Sequence, residues 1–171
     1  MRQLTSTELK RLHREQRRGD LPRLSLILDA VQGPFNVGGI IRTAACYRVD
    51  HIWFADTETT PRNPKVAKTA LGTDRYVTWA AGTAAEAVAA EKAAGARIVA
   101  VELADGAEPA EAADLSGDIC LVIGHEDRGV SKTVLAECDA GIYLPQLGKV
   151  GSLNVATAAS IAIWEVRRRS W

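Results

Sequence analysis

Gly124-His125-Glu126-Asp127-Arg128-Gly129 closes one apolar run, and Leu144-Pro145-Gln146-Leu147-Gly148-Lys149-Val150-Gly151-Ser152-Leu153-Asn154-Val155 closes another. Both stretches are polar and glycine-rich. Each follows residues with the apolar, β-branched character of a buried strand, Asp118 to Ile123 before the first and Gly141 to Leu144 before the second. Two loops therefore sit at strand ends and lie close together in the chain. Neither is the GxGxxG turn of a dinucleotide fold, and neither ends in the Gly-Lys-Ser/Thr of a P-loop. They are shaped for a different ligand.

Outward from these loops the chain alternates. Thr5-Ser6-Thr7-Glu8 is a capping-box pattern that opens a basic helix ending near Gly19-Asp20, so residues 1–23 form a short basic helical extension. The main domain, 24–171, starts with a strand at Leu24 to Leu28, helical spacing from Val37 to Val49 and a second strand at His51 to Ala55. A proline-bearing loop, Asp56 to Lys65, leads to a short helix at Val66 to Leu71 and a strand at Tyr76 to Trp79. Helix Ala84 to Ala94, strand Arg97 to Leu103, a short helix at Ser131 to Glu137 and a final helix Ser152 to Arg169 complete the series. Strands separated by helices predict an α/β fold, a mostly parallel sheet flanked by helices on both faces. Periodicity alone draws a doubly wound sheet with its ligand at the carboxyl ends of the strands.

At 171 residues and 47% hydrophobic content, the chain suits one globular domain. Its formal net charge is zero, which excludes holding nucleic acid by bulk electrostatics and requires any such surface to be local. Charge is polarised: Lys10 to Arg18 and Arg167 to Arg169 are basic, whereas Glu102 to Asp118 is acidic with no Lys or Arg. Three cysteines, at 46, 120 and 138, lie inside apolar patterns and read as buried reduced thiols of a cytoplasmic protein. The histidines at 13, 51 and 125 have no short-spaced Cys partners, so no metal is expected. No apolar N-terminal segment or 18-residue apolar run predicts export or a membrane span.

Together with Asn36-Val37-Gly38-Gly39-Ile40-Ile41-Arg42-Thr43-Ala44, the two loops resemble the three motifs of the SpoU/TrmH family, the knotted SPOUT class of RNA 2′-O-ribose methyltransferases. The motifs occur in family order, and the likeness runs from about Leu24 to Arg167. It implies a SPOUT-type fold with a C-terminal trefoil knot, S-adenosylmethionine as cofactor and an RNA substrate, with tRNA favoured over rRNA. The cofactor would lie against Val101, Glu102, Gly124, Leu144 and Leu153. Asn36 and Arg42 match the family's catalytic pair, Glu126 its second-motif glutamate, and Ser152 and Asn154 the start of the last helix. The chain departs from the family at Gln146, where Met is common after the motif proline.

The residues admit plainer roles beside these. Asn36 can cap a helix, with Arg42 in its second turn pointing to the same strand end; Ser152 can cap the last helix; Glu126 can sit at a helix N-terminus. Two roles stand open for Arg42. A guanidinium with a pKa above 12 is a poor base, whereas a bidentate grip on the phosphate beside the target ribose suits its chemistry. Arg14, Arg17 and Arg18 are the candidate RNA contacts of the extension. The resemblance further implies a homodimer, with the apolar load of the last helix (Ile161, Ile163, Trp164, Val166) and Leu153 in a core or a subunit interface. Without a long tail or large appended domain, specificity is expected from the core and its ends. The alternatives are an rRNA methyltransferase of the same family, a base methyltransferase of the sister SPOUT group, and a noncatalytic RNA-binding protein on the same scaffold.

Overall fold

The computed structural model describes residues 1–16 and 19–170. Strands β1 (Leu24–Asp29), β2 (His51–Ala55), β3 (Thr78–Gly82), β4 (Arg97–Val101), β5 (Glu108–Pro109), β6 (Ile119–Ile123) and β7 (Ala140–Tyr143) form a single sheet in the order β3-β2-β1-β6-β4-β7-β5. Every pairing is parallel. Helices α2 (Pro34–Cys46), α3 (Pro64–Ala70), α4 (Ala84–Ala93), α5 (Lys132–Leu135) and α6 (Val155–Arg167) follow or cover the strands, and α1 (Ser6–Gln16) precedes them.

Parallel strands bury both faces, and β1 shows how one apolar run serves two cores. Leu24, Leu26 and Leu28 point to one face and pack with Val37, Ile40, Ile41 and Ala44 of α2 and Ala159, Ala162 and Ile163 of α6. Ile27 points the other way, with Ile98, Cys120 and Val122, under Ala87 and Val88 of α4 and Val134 of α5. At the foot of this second core Glu91 is 2% exposed and accepts from Arg23 Nη2 (3.0 Å), Ser25 Oγ (2.6 Å) and Trp53 Nε1 (3.0 Å). The end of α6 is fixed by Arg167, 1% exposed, which donates to the carbonyls of Pro22 (2.7 Å), Tyr47 (2.8 Å) and Arg48.

Several boundaries differ from the sequence expectation. Strand β3 begins at Thr78, because pairing of His51 with Thr78 sets its register and Thr73–Tyr76 is taken up in a 3₁₀ turn. β5, two residues long, carries no apolar alternation and exists through pairing with β7. Helix α2 starts at Pro34 with Gly33 as its cap, so Asn36 lies inside the helix rather than capping it. Helix α6 is capped by Asn154, not Ser152. The capping box of α1 is present, with Thr5 N–H donating to Glu8 Oε2 (2.8 Å) and Glu8 N–H to Thr5 Oγ1 (3.4 Å). Cys46 is exposed, while burial pushes the Cys120 thiol up to about 12 and the Cys138 thiol to about 11. No described helix is long and apolar enough to cross a membrane, and no described group of His, Cys, Asp and Glu could hold a metal ion.

Candidate active site

The register of the sheet decides where the loops meet. Leu28, Ile123, Val101 and Ile142 occupy one row across β1, β6, β4 and β7. The chain therefore leaves four adjacent strands at the same height, and the segments beyond three of them, β4, β6 and β7, enclose a cleft of about 910 Å³. Val101, Glu102, Gly124, Leu144 and Leu153 all line it, as do Glu126, Gln146 and Ser152.

The loop after β6 is locked. His125 and Gly129 exchange backbone hydrogen bonds (3.0 and 2.9 Å), Val130 N–H donates to Glu102 Oε2 (2.9 Å), and Ser131 N–H donates to Asp29 Oδ2 (2.7 Å). Glycine is obligatory at two points. A Cβ on Gly124 would stand 2.1 Å from the carbonyl carbon of Gly129, and one on Gly129, at φ +66°, would stand 2.1 Å from Glu102 Oε2. Such a tight turn presents main chain to the cleft and aims Glu126 away from its own strand.

Glu126 gathers the loop after β1. Its Oε1 accepts from Gly33 N–H (2.8 Å) and Asn36 Nδ2 (3.0 Å), and its Oε2 from Gln32 N–H (3.2 Å). Burial pushes the carboxyl up, but the bonds from Asn36, its own backbone N–H, Gly33 and Gln32 outweigh that and hold it below the ordinary carboxylate value. Asn36 Oδ1 in turn accepts from Asn154 Nδ2 (2.9 Å), and Asn154 Oδ1 accepts from Ala156 N–H (2.9 Å) and Thr157 N–H (3.3 Å) of α6. Each amide is oriented by its neighbours, because backbone donors stand at one end of the relay and a carboxylate at the other. Three segments distant in sequence are thereby joined at the mouth of the cleft.

Residues 144–153 differ from the rest of the site. None of their polar groups, main-chain or side-chain, bonds to another described residue. The main-chain groups of this largely exposed segment are thus open to a ligand, and most of its residues line the cleft beside Val101. Such a surface suits a flat heteroaromatic ring with polar edges.

Arg42 stands apart from this relay. Six helical residues turn the chain by 600°, so Arg42 projects about 120° away from Asn36, and Glu126 makes no bond to it. It shares the face of Gly38 and Phe35, is exposed, and has no hydrogen-bond or ion-pair partner among the described residues. Arg14 is exposed on α1, none of whose residues is buried; Arg17 and Arg18 lie outside the described residues. Sequence reasoning missed Gln32 and Gly33. The available signal was Gly33-Pro34, since proline at the first helical position starts the helix there and leaves the preceding N–H groups facing Glu126.

Fold and site define an α/β protein with a parallel sheet and a ligand cleft beyond the carboxyl ends of its strands, outside the glycine fingerprints of the nucleotide-binding folds. Residues 23–164 match the SpoU rRNA Methylase family, and the chain belongs to it. It is 32% identical over 145 residues to the 23S rRNA (guanosine(2553)-2'-O)-methyltransferase RlmP of Bacillus subtilis, covering 85% of this chain and 58% of that protein. It is also 32% identical over 152 residues to the tRNA (guanosine(18)-2'-O)-methyltransferase of Escherichia coli, covering 86% and 64%. The chain thus spans under two thirds of the length of these curated relatives. Among solved structures, the AdoMet-bound rRNA methyltransferase of Sinorhizobium meliloti superposes with a TM-score of 0.82 at 29% identity, over 88% of this chain and 57% of that one. A protein described by the 2-OH methylation of C/U34 on tRNA gives 0.76 at 28%, over 86% and 96%.

Proposed function

We propose that this protein is an S-adenosylmethionine-dependent RNA methyltransferase that modifies a ribose 2′-hydroxyl of tRNA and works as a cytoplasmic homodimer. The observation that carries this reading is the relay of Asn154, Asn36 and Glu126 at the mouth of a cleft cut by Gly124 and Gly129. The cleft fits the cofactor: the free main-chain groups of 144–153 would meet the adenine edges, and Val101, Leu144 and Leu153 its faces. When bound, S-adenosylmethionine supplies an electrophilic methyl group.

The chain's own residues supply placement. Glu126, Asn36 and Asn154 act as positioning residues that hold the loop after β1 against the start of α6, and Ser152 stands in the cleft wall as a substrate contact. Arg42, unpartnered and too basic to accept a proton, grips the phosphate beside the target nucleotide; the hydroxyl proton leaves to that phosphate or to water. Arg14, with Arg17 and Arg18, extends the RNA contact.

The trefoil knot belongs to the same reading. β7 is inserted between β4 and β5, and the chain then crosses from β7 to α6, which packs on α2. The homodimer reading rests on the outer face of α6, where Ile161 and Trp164 are 41 and 42% exposed, with Leu153 just before the helix at 40% and Phe35 at 68%. The relative that acts on 23S rRNA is as identical as the one that acts on tRNA, which favours rRNA as the second reading; the tRNA-modifying protein almost fully spanned by this chain favours the first.

The deciding experiment is transfer of labelled methyl to total tRNA and, separately, total rRNA, by wild type, Arg42→Ala and Arg42→Lys, followed by nucleoside mass spectrometry. A 2′-O-methyl nucleoside from tRNA, lost in Arg42→Ala and partly kept in Arg42→Lys, is expected. A methylated base would assign the sister chemistry, and a protein without cofactor affinity would be a binding scaffold.

A further inference from the structure

We infer that Arg62, Lys65 and Lys68 form a second cationic face, continuous with Arg42, that carries the RNA strand flanking the target nucleotide; this rests on the RNA-methyltransferase reading above. The chain has no net charge, yet two of its segments are purely basic. Ala30 to Val49 contains Arg42 and Arg48 without Asp or Glu, and Thr59 to Thr73 contains Arg62, Lys65 and Lys68 without Asp or Glu.

The fold packs these two segments together. Gly38 is the point of contact between α2 and α3, for a Cβ there would stand 2.5 Å from Thr69 Cβ and 3.0 Å from the Val66 carbonyl. Arg42 follows Gly38 by one helical turn, and Lys65 and Lys68 each immediately precede one of the two contacting residues, Val66 and Thr69. All four cations are exposed. The segment bearing Arg62 is also latched to the loop after β1, since Thr57 Oγ1 donates to Val31 O (2.8 Å) and Thr59 Oγ1 to Gln32 O (3.0 Å). The same loop is gripped by Glu126 through Gln32 and Gly33. The cationic face therefore holds a fixed position relative to the relay.

No carboxylate among the described residues neutralises these cations, a state they share with Arg14, Arg128, Lys132 and Lys149 but not with the paired cations elsewhere on the surface. Lys92 pairs with Glu137 (2.7 Å), Arg97 with Asp114 (3.6 Å), Arg168 with Glu165 (2.6 Å) and Arg169 with the same carboxylate (2.5 Å). Lys65 and Lys68 have no side-chain partner among the described residues. Arg62 lies over the Trp79 ring at 5.6 Å, a contact that orients the guanidinium and leaves its donors free. Unpaired, pre-positioned cations release condensed counterions when phosphates arrive, and that release is the main sequence-independent source of nucleic-acid affinity. A strand gripped at Arg42 and continued over α3 would be held on both sides of the reacting ribose.

The test is the Lys65→Gln/Lys68→Gln double variant of the full chain, with binding to unfractionated tRNA measured across a salt series and methyl transfer measured alongside. The expected result is a slope of log affinity against log salt shallower by about 1.4 to 1.8, the loss of two phosphate contacts. KM for RNA rises while kcat, cofactor affinity and melting temperature stay at wild-type values. A wild type that binds and methylates RNA, with a double variant of unchanged slope, overturns this inference alone. A changed sedimentation mass in the double variant with an unchanged RNA slope assigns the face to a protein partner and overturns it too. A wild type that binds no RNA overturns both this inference and the reading beneath it.

Discussion

Asn154 serves two partners at once: its Oδ1 caps α6 by accepting from Ala156 and Thr157, and its Nδ2 donates to Asn36 Oδ1 at 2.9 Å. The two tasks can be separated by chemistry. Aspartate is as good a helix cap as asparagine but has no amide donor. Asn154→Asp should keep the melting temperature near wild type and lose methyl transfer by an order of magnitude or more, because Asn36 is left without its second tether. Asn154→Ala should lose activity and also about 1 kcal/mol of stability with the cap. Thermal melts beside single-turnover assays distinguish the two; full activity in Asn154→Asp would show that Asn154 matters only as a cap.

Glu126 answers to pH. Its folded pKa is depressed, so its contribution is fully present above the ordinary carboxylate pKa of about 4.3 and is lost as pH falls through the lower folded value. Glu126→Gln turns an amide toward three N–H donors and should cost about 1–3 kcal/mol at neutral pH. Denaturant titrations of the two proteins should converge as pH drops below about 4. A gap that stays constant through that range would mean the carboxylate charge is irrelevant to the clamp.

Gly124→Ala tests the shape of the cleft. Its added methyl meets main chain, not a movable side chain, so the turn at Gly129 must open. About 1–3 kcal/mol of destabilisation is expected from overpacking, together with a loss of S-adenosylmethionine affinity seen by calorimetry.

Away from the cleft, Glu91→Ala should be among the most destabilising substitutions in the chain. It leaves Arg23, Ser25 and Trp53 with unanswered donors in a buried site, at about 3–5 kcal/mol. Chemical denaturation measures it, and cofactor affinity of the folded fraction should be unchanged.

The alternation of strands and helices was legible because buried parallel strands are written as apolar runs, and His51–Ala55 falls where its run predicts. The cleft was legible for a related reason: polar, glycine-rich stretches after such runs must lie at strand ends. Relations fixed only in three dimensions were not legible. Ser152 and Asn154 are equally good caps on paper, and the bond to Asn36 accompanies the choice of Asn154. The spacing of Asn36 and Arg42 suggested convergence only while Asn36 was placed outside the helix; once Gly33 caps it, the two side chains diverge. Cys46 read as buried because its neighbours are apolar, yet it falls on the outer side of the last turn of α2.

The relay unites residues 36, 126 and 154, so its three parts emerge from the ribosome at widely separated times. A nascent chain released as far as β6 can bury much of its sheet, but the loop after β1 has no second tether until Asn154 has been made. Arg167 then ties the last helix to Pro22, at the very start of the domain. Contacts of such long sequence separation are closed late and slowly. Synthesis of almost the whole chain is therefore a precondition for the site, because the cleft wall between Tyr143 and Ala158 and the tether at Asn154 are both made last.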